Sequence, residues 1–435
     1  MADFDVIVVG AGVAGSTAAA RMAKNGLNVL LVDRAKPIGS KNLSGGVLWG
    51  NDLDEVFPNW QVEAPVERPI TTKGVSFLTK ESGFTAQFST EGWKKAPYNA
   101  VSVLRARLDL WLSEQAAKAG VNVIDGVNVE HLAVEDVNGI RTVKGVVQAG
   151  ETITGDCVIL ADGTNSRLSM DLGIRGKLDR RHYVIGIKQV IQFPSEEALQ
   201  DRFAIGPNEG VACEYVLGYL DNGAKAGGFL YTNKDTVSLG VVINLDSIWE
   251  KGVYTHKVME AFRTHPTIAA LVKGGEMVEY GAHLIPEGGL HVVPQLYGSG
   301  WLAVGDAAGL VYSNGLVIHG MNYAARSGII AADACIAAKK AGGFSERNLS
   351  AYGRMIEDSF IMKDLRKFEG LDEFVWDDVN HQVLPGLVED VFKGLFTNNG
   401  VPKETAQTIV KRSLRERKVG LGKLARFALK ARKSV

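Results

Sequence analysis

At 435 residues, 46% of them hydrophobic and 22% charged, and with a formal net charge of -1, the chain has material for two or three buried cores. The near-neutral balance excludes a generally basic nucleic-acid binder and a disordered acidic chain. Its three cysteines, Cys157, Cys213 and Cys335, form no CxxC pair, so neither a zinc site nor an iron–sulfur cluster is expected within the chain and no metal ligand is assigned.

Residues Met1 to Asp5 run straight into the first apolar segment, which predicts no signal peptide, and stretches such as Gly328 to Ala338 are broken by Asp333 and too short to span a bilayer. The run Val6 to Val9 reads as a strand. It passes Gly10, Gly12 and Gly15, enters an Ala-rich helical pattern, and leads to a second apolar run, Val29 to Val32, closed by Asp33. A glycine turn with a strand before it, a helix after it and an acid at this distance is a dinucleotide-binding βαβ unit. The glycines let the backbone turn tightly beside a pyrophosphate that sits on the helix N-terminus, and Asp33 is placed to accept hydrogen bonds from ribose hydroxyls. Alone, the turn leaves open which dinucleotide it holds.

The following segment, AKPIGSKNLSGGVLWG, is a loop in which Gly45 and Gly46 serve either a close approach to a flat ring or a hairpin turn. Val101 to Gly120 predicts a helix with Arg105 and Arg107 near its start. Val121 to Leu160 alternates apolar and polar residues around Asn-Gly and Ala-Gly turns and predicts a β-meander, its last run, Cys157 to Leu160, returning to the first sheet as a buried parallel strand before Asp162-Gly163. Between Gly176 and Pro294, strand-like runs at Tyr183 to Val190, Gly227 to Thr232 and Thr236 to Asn244, and a helix over Thr255 to Val272, predict a mostly antiparallel second domain inserted into the first. Another strand, a Gly305-Asp306 turn and a long helical pattern to Lys340 follow. The remainder is helical, and its last stretch, from Val401, is basic and amphipathic, suited either to an anionic membrane or acidic partner or to ordinary packing.

The expected fold class is therefore α/β. A Rossmann-like nucleotide-binding domain covers 1–175 and 295–345, an inserted mostly antiparallel β domain covers 176–294, and a helical region with a basic tail covers 346–435.

Three separated glycine-acid turns, Gly10–Asp33, Asp162-Gly163 and Gly305-Asp306, in this order resemble the FAD-dependent superfamily of para-hydroxybenzoate hydroxylase-type enzymes over Phe4 to Ala338. That resemblance implies FAD, with Asp33 on the adenosine ribose, Arg105 reaching the cofactor from the first long helix, Asp162-Gly163 near the pyrophosphate, and Asp306 on the ribityl chain. The helix after Gly320 would aim its N-terminus at the flavin pyrimidine and favour negative charge on the reduced ring. The cofactor residues so assigned are Gly10, Gly12, Ala14, Gly15, Asp33, Arg34, Gly45, Gly46, Arg105, Asp162, Gly163, Gly305, Asp306, Gly320, Met321 and Asn322.

Five blocks, KNLSGGVLWG, VSVLRARLDLWLSEQAAKAG, GGFLYTNKDTVSLGVVI, HLIPEGGL and YGSGWLAVGDAAGLVYSNG, further resemble the FixC proteins, relatives of electron-transfer flavoprotein:quinone oxidoreductase. The resemblance implies that electrons pass from reduced electron-transfer flavoprotein through FAD, with an iron–sulfur cluster alongside, to a membrane quinone. Larger members carry the cluster in a Cys-rich C-terminal region; here no cysteine follows Cys335, which fits the short members that work beside a small ferredoxin-like partner, FixX. The implied location is cytoplasmic, peripheral to the inner face of the cell membrane. Where FixC relatives often read TVRGMDLA, this chain has Val317-Ile318-His319-Gly320-Met321-Asn322-Tyr323-Ala324. An imidazole titrates near neutrality, so His319 is a candidate proton carrier or else a packed polar residue. Phe203, Tyr215, Tyr219, Phe229 and Tyr231 offer material for an apolar quinone entrance. An isoprenoid reductase resembling geranylgeranyl reductase, an FAD-dependent aromatic hydroxylase and a flavin-holding structural subunit are the competing readings; GGFLYTNKDTVSLGVVI favours the quinone oxidoreductase over the isoprenoid reductase.

Overall fold

Two main sheets meet over a shared cavity in a computed structural model that describes residues 2–42, 45–314 and 317–434. Leu43 and Ser44 of the Gly/Ser-rich loop, and Gly315 of the late YSNG block, lie outside the described residues. In chain order the strands are β1 (Phe4–Val9), β2 (Val29–Asp33), β3 (Gly46–Trp49), β4 (Val66–Pro69), β5 (Thr72–Leu78), β6 (Gly83–Ser89), β7 (Ala100–Val103), β8 (Asn122–Asp125), β9 (His131–Val137), β10 (Ile140–Gln148), β11 (Glu151–Leu160), β12 (Tyr183–Gln192), β13 (Val211–Leu217), β14 (Ala226–Thr232), β15 (Thr236–Asn244), β16 (Glu276–Pro286), β17 (Tyr297–Gly298), β18 (Trp301–Ala303), β19 (Tyr312–Ser313) and β20 (Ile318–His319).

The first sheet runs β17-β18-β11-β1-β2-β8, with β10 and β9 continuing from β11 as the predicted meander. Val6 to Val9 and Val29 to Val32 are buried, as expected for parallel strands covered on both faces. β11 lies parallel to β1, with Leu160 opposite Val9, and β18 lies parallel to β11, with Ala303 opposite Leu160. The turns after β1, β11 and β18 therefore leave from one edge. The helices Val13–Lys24 and Met321–Lys340 pack against each other where Gly328 meets Ala14: a Cβ on Gly328 would lie 2.4 Å from the Ala14 carbonyl oxygen. Asp333, which interrupts the apolar run of the second helix, receives Arg21 Nε at 2.6 Å and Nη2 at 3.0 Å from the first.

The second sheet runs β16-β12-β15-β14-β13-β5-β6 and is antiparallel except for the β5–β13 pair. It departs from the sequence expectation in its last two strands. β5 and β6 come from residues 72–89, inside the span assigned to the nucleotide-binding domain, because the alternating burial of β5 supplies one face to the second core. Two helix expectations also change. Val101 to Val103 pair as strand β7 and the helix begins at Arg105, giving Arg105–Lys118. The expected Thr255 to Val272 helix divides into Thr255–Thr264 and Pro266–Val272, since the residue before a proline is driven out of helical geometry and His265 takes ψ 134°.

Beyond residue 345 the described chain is helical. The helix Leu384–Phe396 lies on the second sheet, where Phe392 stacks on Phe84 at 4.2 Å. Some of the basic tail is used internally: Arg417 pairs with Asp390 at 2.7 Å and Lys430 with Asp377 at 2.9 Å.

Arg68 ties the β3-β7-β4 sheet to the second one. Fully buried, it donates to the carbonyls of Asn233 at 2.6 Å, Pro207 at 2.9 Å and Lys234 at 2.8 Å and to Glu196 Oε1 at 2.9 Å. Arg68→Ala leaves several carbonyls without a donor and should destabilise the protein by at least about 3 kcal/mol in chemical denaturation. Arg68→Lys should recover little of this, since an ammonium cannot spread five planar donors.

Candidate functional site

A cavity of about 390 Å³ opens along the edge where the three turns leave the first sheet and is closed on its far side by the second sheet. At one end the turn after β1 requires glycine at position 10, where φ is +107° and a Cβ would lie 2.2 Å from the Ala161 carbonyl oxygen. Gly12 faces the opening, with only Arg105 Nη2 within 4 Å of a Cβ placed there. No side chain caps the Val13–Lys24 helix, so its first turn presents the positive end of the helix dipole to the cavity through Gly12, Val13 and Ala14. Asp33 is oriented by both neighbouring turns: Ala11 N donates to Oδ2 at 2.8 Å and Ala35 N to Oδ1 at 2.7 Å.

Along the middle of the cavity lie Asp162, Gly163 and Asp306. Asp306 Oδ2 accepts from Thr164 Oγ1 at 3.1 Å, and Asp162 Oδ2 accepts from Leu168 N at 3.4 Å. The other Asp162 oxygen, Oδ1, is buried without a partner among the described residues, and burial pushes this carboxyl up to about 6. Arg105 is clamped by Asp109 through Nε at 2.9 Å and Nη2 at 2.8 Å, which fixes it at the cavity wall. At the far end, the Gly45-Gly46 backbone lies between the second sheet and the helix Met321–Lys340. A Cβ on Gly46 would sit 2.9 Å from Met321 Cε and one on Gly45 3.6 Å from Lys188 Cδ.

Of the residues expected from sequence, Gly10, Gly12, Ala14, Asp33, Arg34, Gly45, Gly46, Arg105, Asp162, Gly163, Asp306, Gly320 and Met321 line this one cavity. Gly15, Gly305, Asn322 and His319 are not among its lining residues. Gly15 packs under the turn, where a Cβ would lie 1.9 Å from the Gly10 carbonyl oxygen, and Gly305 N donates to Ser327 Oγ at 2.9 Å. His319 sits in an aromatic wall, its ring centroid 5.6 Å from Trp49, 5.7 Å from Tyr312 and 5.9 Å from Tyr323, with Asn322 Nδ2 3.2 Å from its Nδ1. Burial holds its pKa below the usual imidazole value, so the ring is neutral at neutral pH.

The aromatic residues of the second domain divide between two faces. Phe229 and Tyr231 stack at 5.0 Å and line the cavity, whereas Tyr215 packs on Phe262, Phe203 on Phe193 and Tyr219 on His265, on other contacts. Sequence reasoning missed Lys188, Val242, His283 and Ile285. Lys188 carries a visible signal, a single charge inside the apolar run YVIGIKQVIQ; His283 and Ile285 lie on β16, a strand not expected from the sequence.

Residues 5–166 match the family of FAD dependent oxidoreductases, and residues 183–285 match the ubiquinone-binding part of ETF-QO. The probable electron transfer flavoprotein-quinone oxidoreductase YdiS of Escherichia coli strain K12 is 40% identical over 427 residues, 98% of each chain, and Protein FixC of the same strain is 37% identical over 428 residues, again 98% of each. The chain belongs to the FixC family. Its fold is also that of a geranylgeranyl bacteriochlorophyll reductase-like protein from Thermoplasma acidophilum, with a TM-score of 0.68 over 95% of this chain and 96% of that one at 22% identity. At that identity the likeness speaks for the fold alone.

The cofactor of this FixC-family oxidoreductase is FAD. The site fits it: an uncapped helix start for the pyrophosphate, a buried unpartnered Asp162 oxygen, and a lining that turns from polar at Asp33 to aromatic at Phe229. Among the described residues no three His, Cys, Asp or Glu side chains gather into a metal site.

Two measurements examine the polar stretch. Asp306→Ala removes a charged acceptor and should weaken FAD retention by about 10- to 100-fold, read as the FAD-to-protein ratio after dilution and gel filtration; unchanged occupancy would remove Asp306 from the site. Because the folded protein holds the Asp162 proton more tightly than the unfolded chain does, the buried carboxylate costs stability above about pH 6 and nothing below the ordinary carboxylate range. In flavin-free protein Asp162→Asn should therefore raise Tm by on the order of 2 °C at pH 8, with the difference closing towards pH 4.

Proposed function

We propose that this chain takes electrons from reduced electron-transfer flavoprotein through FAD and passes them to a quinone. The observation that carries the reading is that one cavity joins the glycine-acid edge of the first sheet to the part of the second sheet that matches a ubiquinone-binding family. The chemistry FAD supplies when bound is reversible acceptance of two electrons, and the protein sets its position and surroundings.

In this reading the first turn of the Val13–Lys24 helix holds the pyrophosphate, Asp33 the adenosine ribose, and Asp306 the ribityl chain. Gly45, Gly46 and the start of the Met321–Lys340 helix flank the ring. The nucleotide-binding domain is then 1–175 and 295–345 less the 72–89 hairpin, and that hairpin joins 176–294 to form the quinone-facing domain. Phe229, Tyr231, Val242 and Ile285 give the quinone an apolar wall while keeping water from the ring. His319, neutral and packed among aromatic rings, holds that wall and carries no proton in this reading.

The partners extend to a small ferredoxin-like protein of the FixX kind, for which the three dispersed cysteines of this chain leave the cluster-binding task. No helix among the described residues is long and apolar enough to cross a membrane. In this reading the quinone is met at a membrane surface, on the cytoplasmic face. Lys411, Arg415, Arg426 and Arg432 on the C-terminal helices, and Lys418 in the turn between them, remain exposed and suit an anionic lipid surface or an acidic partner.

The test is anaerobic. Reduced electron-transfer flavoprotein should bleach the bound flavin, and a short-chain ubiquinone should restore its absorbance. Failure of the first step, or reduction by NADPH with oxygen uptake on adding a phenol, would overturn the proposal and favour a hydroxylase.

A further inference from the structure

Lys188 is a buried cation at the ring end of the cavity, and among the described residues it forms no ion pair. Its Nζ donates to the Gly45 carbonyl oxygen and lies 5.3 Å from the centroid of Phe229. The sheet is shaped to put it there. Lys188 and Phe229 both stand opposite Gly240, one from each side, and a Cβ at Gly240 would lie 2.3 Å from Phe229 Cζ. Any larger residue at 240 would lift the ring away from the ammonium. Across the Gly45-Gly46 backbone stands Met321, at the start of a 20-residue helix whose first turn has no side-chain cap. Two positive features thus converge on one end of one cavity, and among the described residues no carboxylate lies within ion-pair distance of Lys188, Glu279 acting on it only from farther off.

A buried charge without an anion is costly, and the cost is removed if an anion arrives or the proton leaves. We propose that Lys188 is the proton-linked countercharge of the reduced flavin: it holds a proton while the ring is reduced and gives it up as the ring is reoxidised. The inference rests on FAD lying in the cavity as proposed above. Two electrons from the donor reduce the ring. One proton from solvent goes to the ring, leaving it one negative charge, and a second goes to Lys188 Nζ. On reoxidation the two electrons leave for the quinone, and the same two protons become available to its two oxygens.

Burial, with Arg105 adding to it and Glu279 opposing it, holds Lys188 down to about 7, so the group is poised to change charge near neutrality. The charged and titratable groups around it are Arg105 from the Arg105–Lys118 helix, Glu279 and His283 from β16, and, around His283, Arg34 and Asp306. Arg105 does not titrate in this range, and His283 is the group whose behaviour must be separated from that of Lys188.

The experiment is a spectroelectrochemical titration of the FAD-loaded protein between pH 5.5 and 9.5 (roughly the interval over which an imidazole and a lowered ammonium titrate), without quinone or partner protein. Each proton taken up per two electrons shifts the reduction equilibrium tenfold per pH unit, about 30 mV. The wild type should reduce ten- to a hundredfold more favourably than Lys188→Met below neutrality, about 30–60 mV, with the gap closing as pH rises. Lys188→Arg, charged throughout, should keep the higher potential but lose the extra proton per two electrons near pH 7–8 (a window set by the lowered lysine); it also serves if Lys188→Met does not retain FAD. His283→Gln should keep the wild-type pH dependence. A pH-independent gap, no gap, a Lys188→Arg slope equal to that of the wild type, or loss of the dependence in His283→Gln each overturns the assignment. Because the titration needs only bound FAD, its failure is distinct from failure to react with electron-transfer flavoprotein or quinone.

Discussion

The parallel register of β1, β11 and β18 is the constraint on which the site depends. Each strand is followed by a turn that carries glycine or an acid, and only because Val9, Leu160 and Ala303 stand side by side do those turns leave from the same edge. Their sequence separation is large, so chain connectivity alone would not gather them. Hydrophobic burial does so: Val6 to Val9, Cys157 to Leu160 and Trp301 to Ala303 are apolar on both faces and buried, and such runs have no stable place except inside a covered sheet. The helices that cover them then bring their N-terminal ends to that edge, and a site for a long, partly anionic cofactor follows from how the sheet is packed.

The second sheet contributes something different. Its inward face is apolar and aromatic where Phe229, Tyr231 and Val242 lie, and its one buried cation there, Lys188, is held by a backbone carbonyl. The polarity of the cavity therefore changes along its length, from hydrogen-bonding acids and an open helix end to aromatic faces. A dinucleotide with a flat ring at one end has the same asymmetry.

Much of this was legible in the sequence. The first βαβ unit, the parallel return of Cys157 to Leu160 and the late Gly305-Asp306 turn follow from periodicity and from the few residues that tolerate tight turns. Thirteen of the cofactor residues that the family resemblance implies line the cavity. What was hidden depends on partners that periodicity does not name. Residues 72–89 carry no element expected from the sequence, and nothing local says that β5 pairs with β13, more than a hundred residues on, with β6 added at its outer edge. Pro266 divides a helix that the apolar pattern on either side of it led to be expected whole. Gly15 and Gly305 belong to the motifs and yet pack beneath the turns, because a glycine is needed as much for close backbone approach as for contact with a ligand. His319 drew notice through its chemistry, and its surroundings turned out to be aromatic rings.

The hairpin formed by β5 and β6 has a consequence for how the protein can be varied. A region matched at 183–285 looks like a cassette with two ends, but the sheet it forms is completed by a ribbon donated from residues 72–89, and Arg68, just before that ribbon, is locked to carbonyls on the other side. The two halves are woven rather than joined. Exchange of quinone-facing parts between relatives must carry both threads at once, and drift in one thread is tolerated only as far as the other can follow. The cavity is thereby inherited as a unit, although it is written in three distant stretches of sequence.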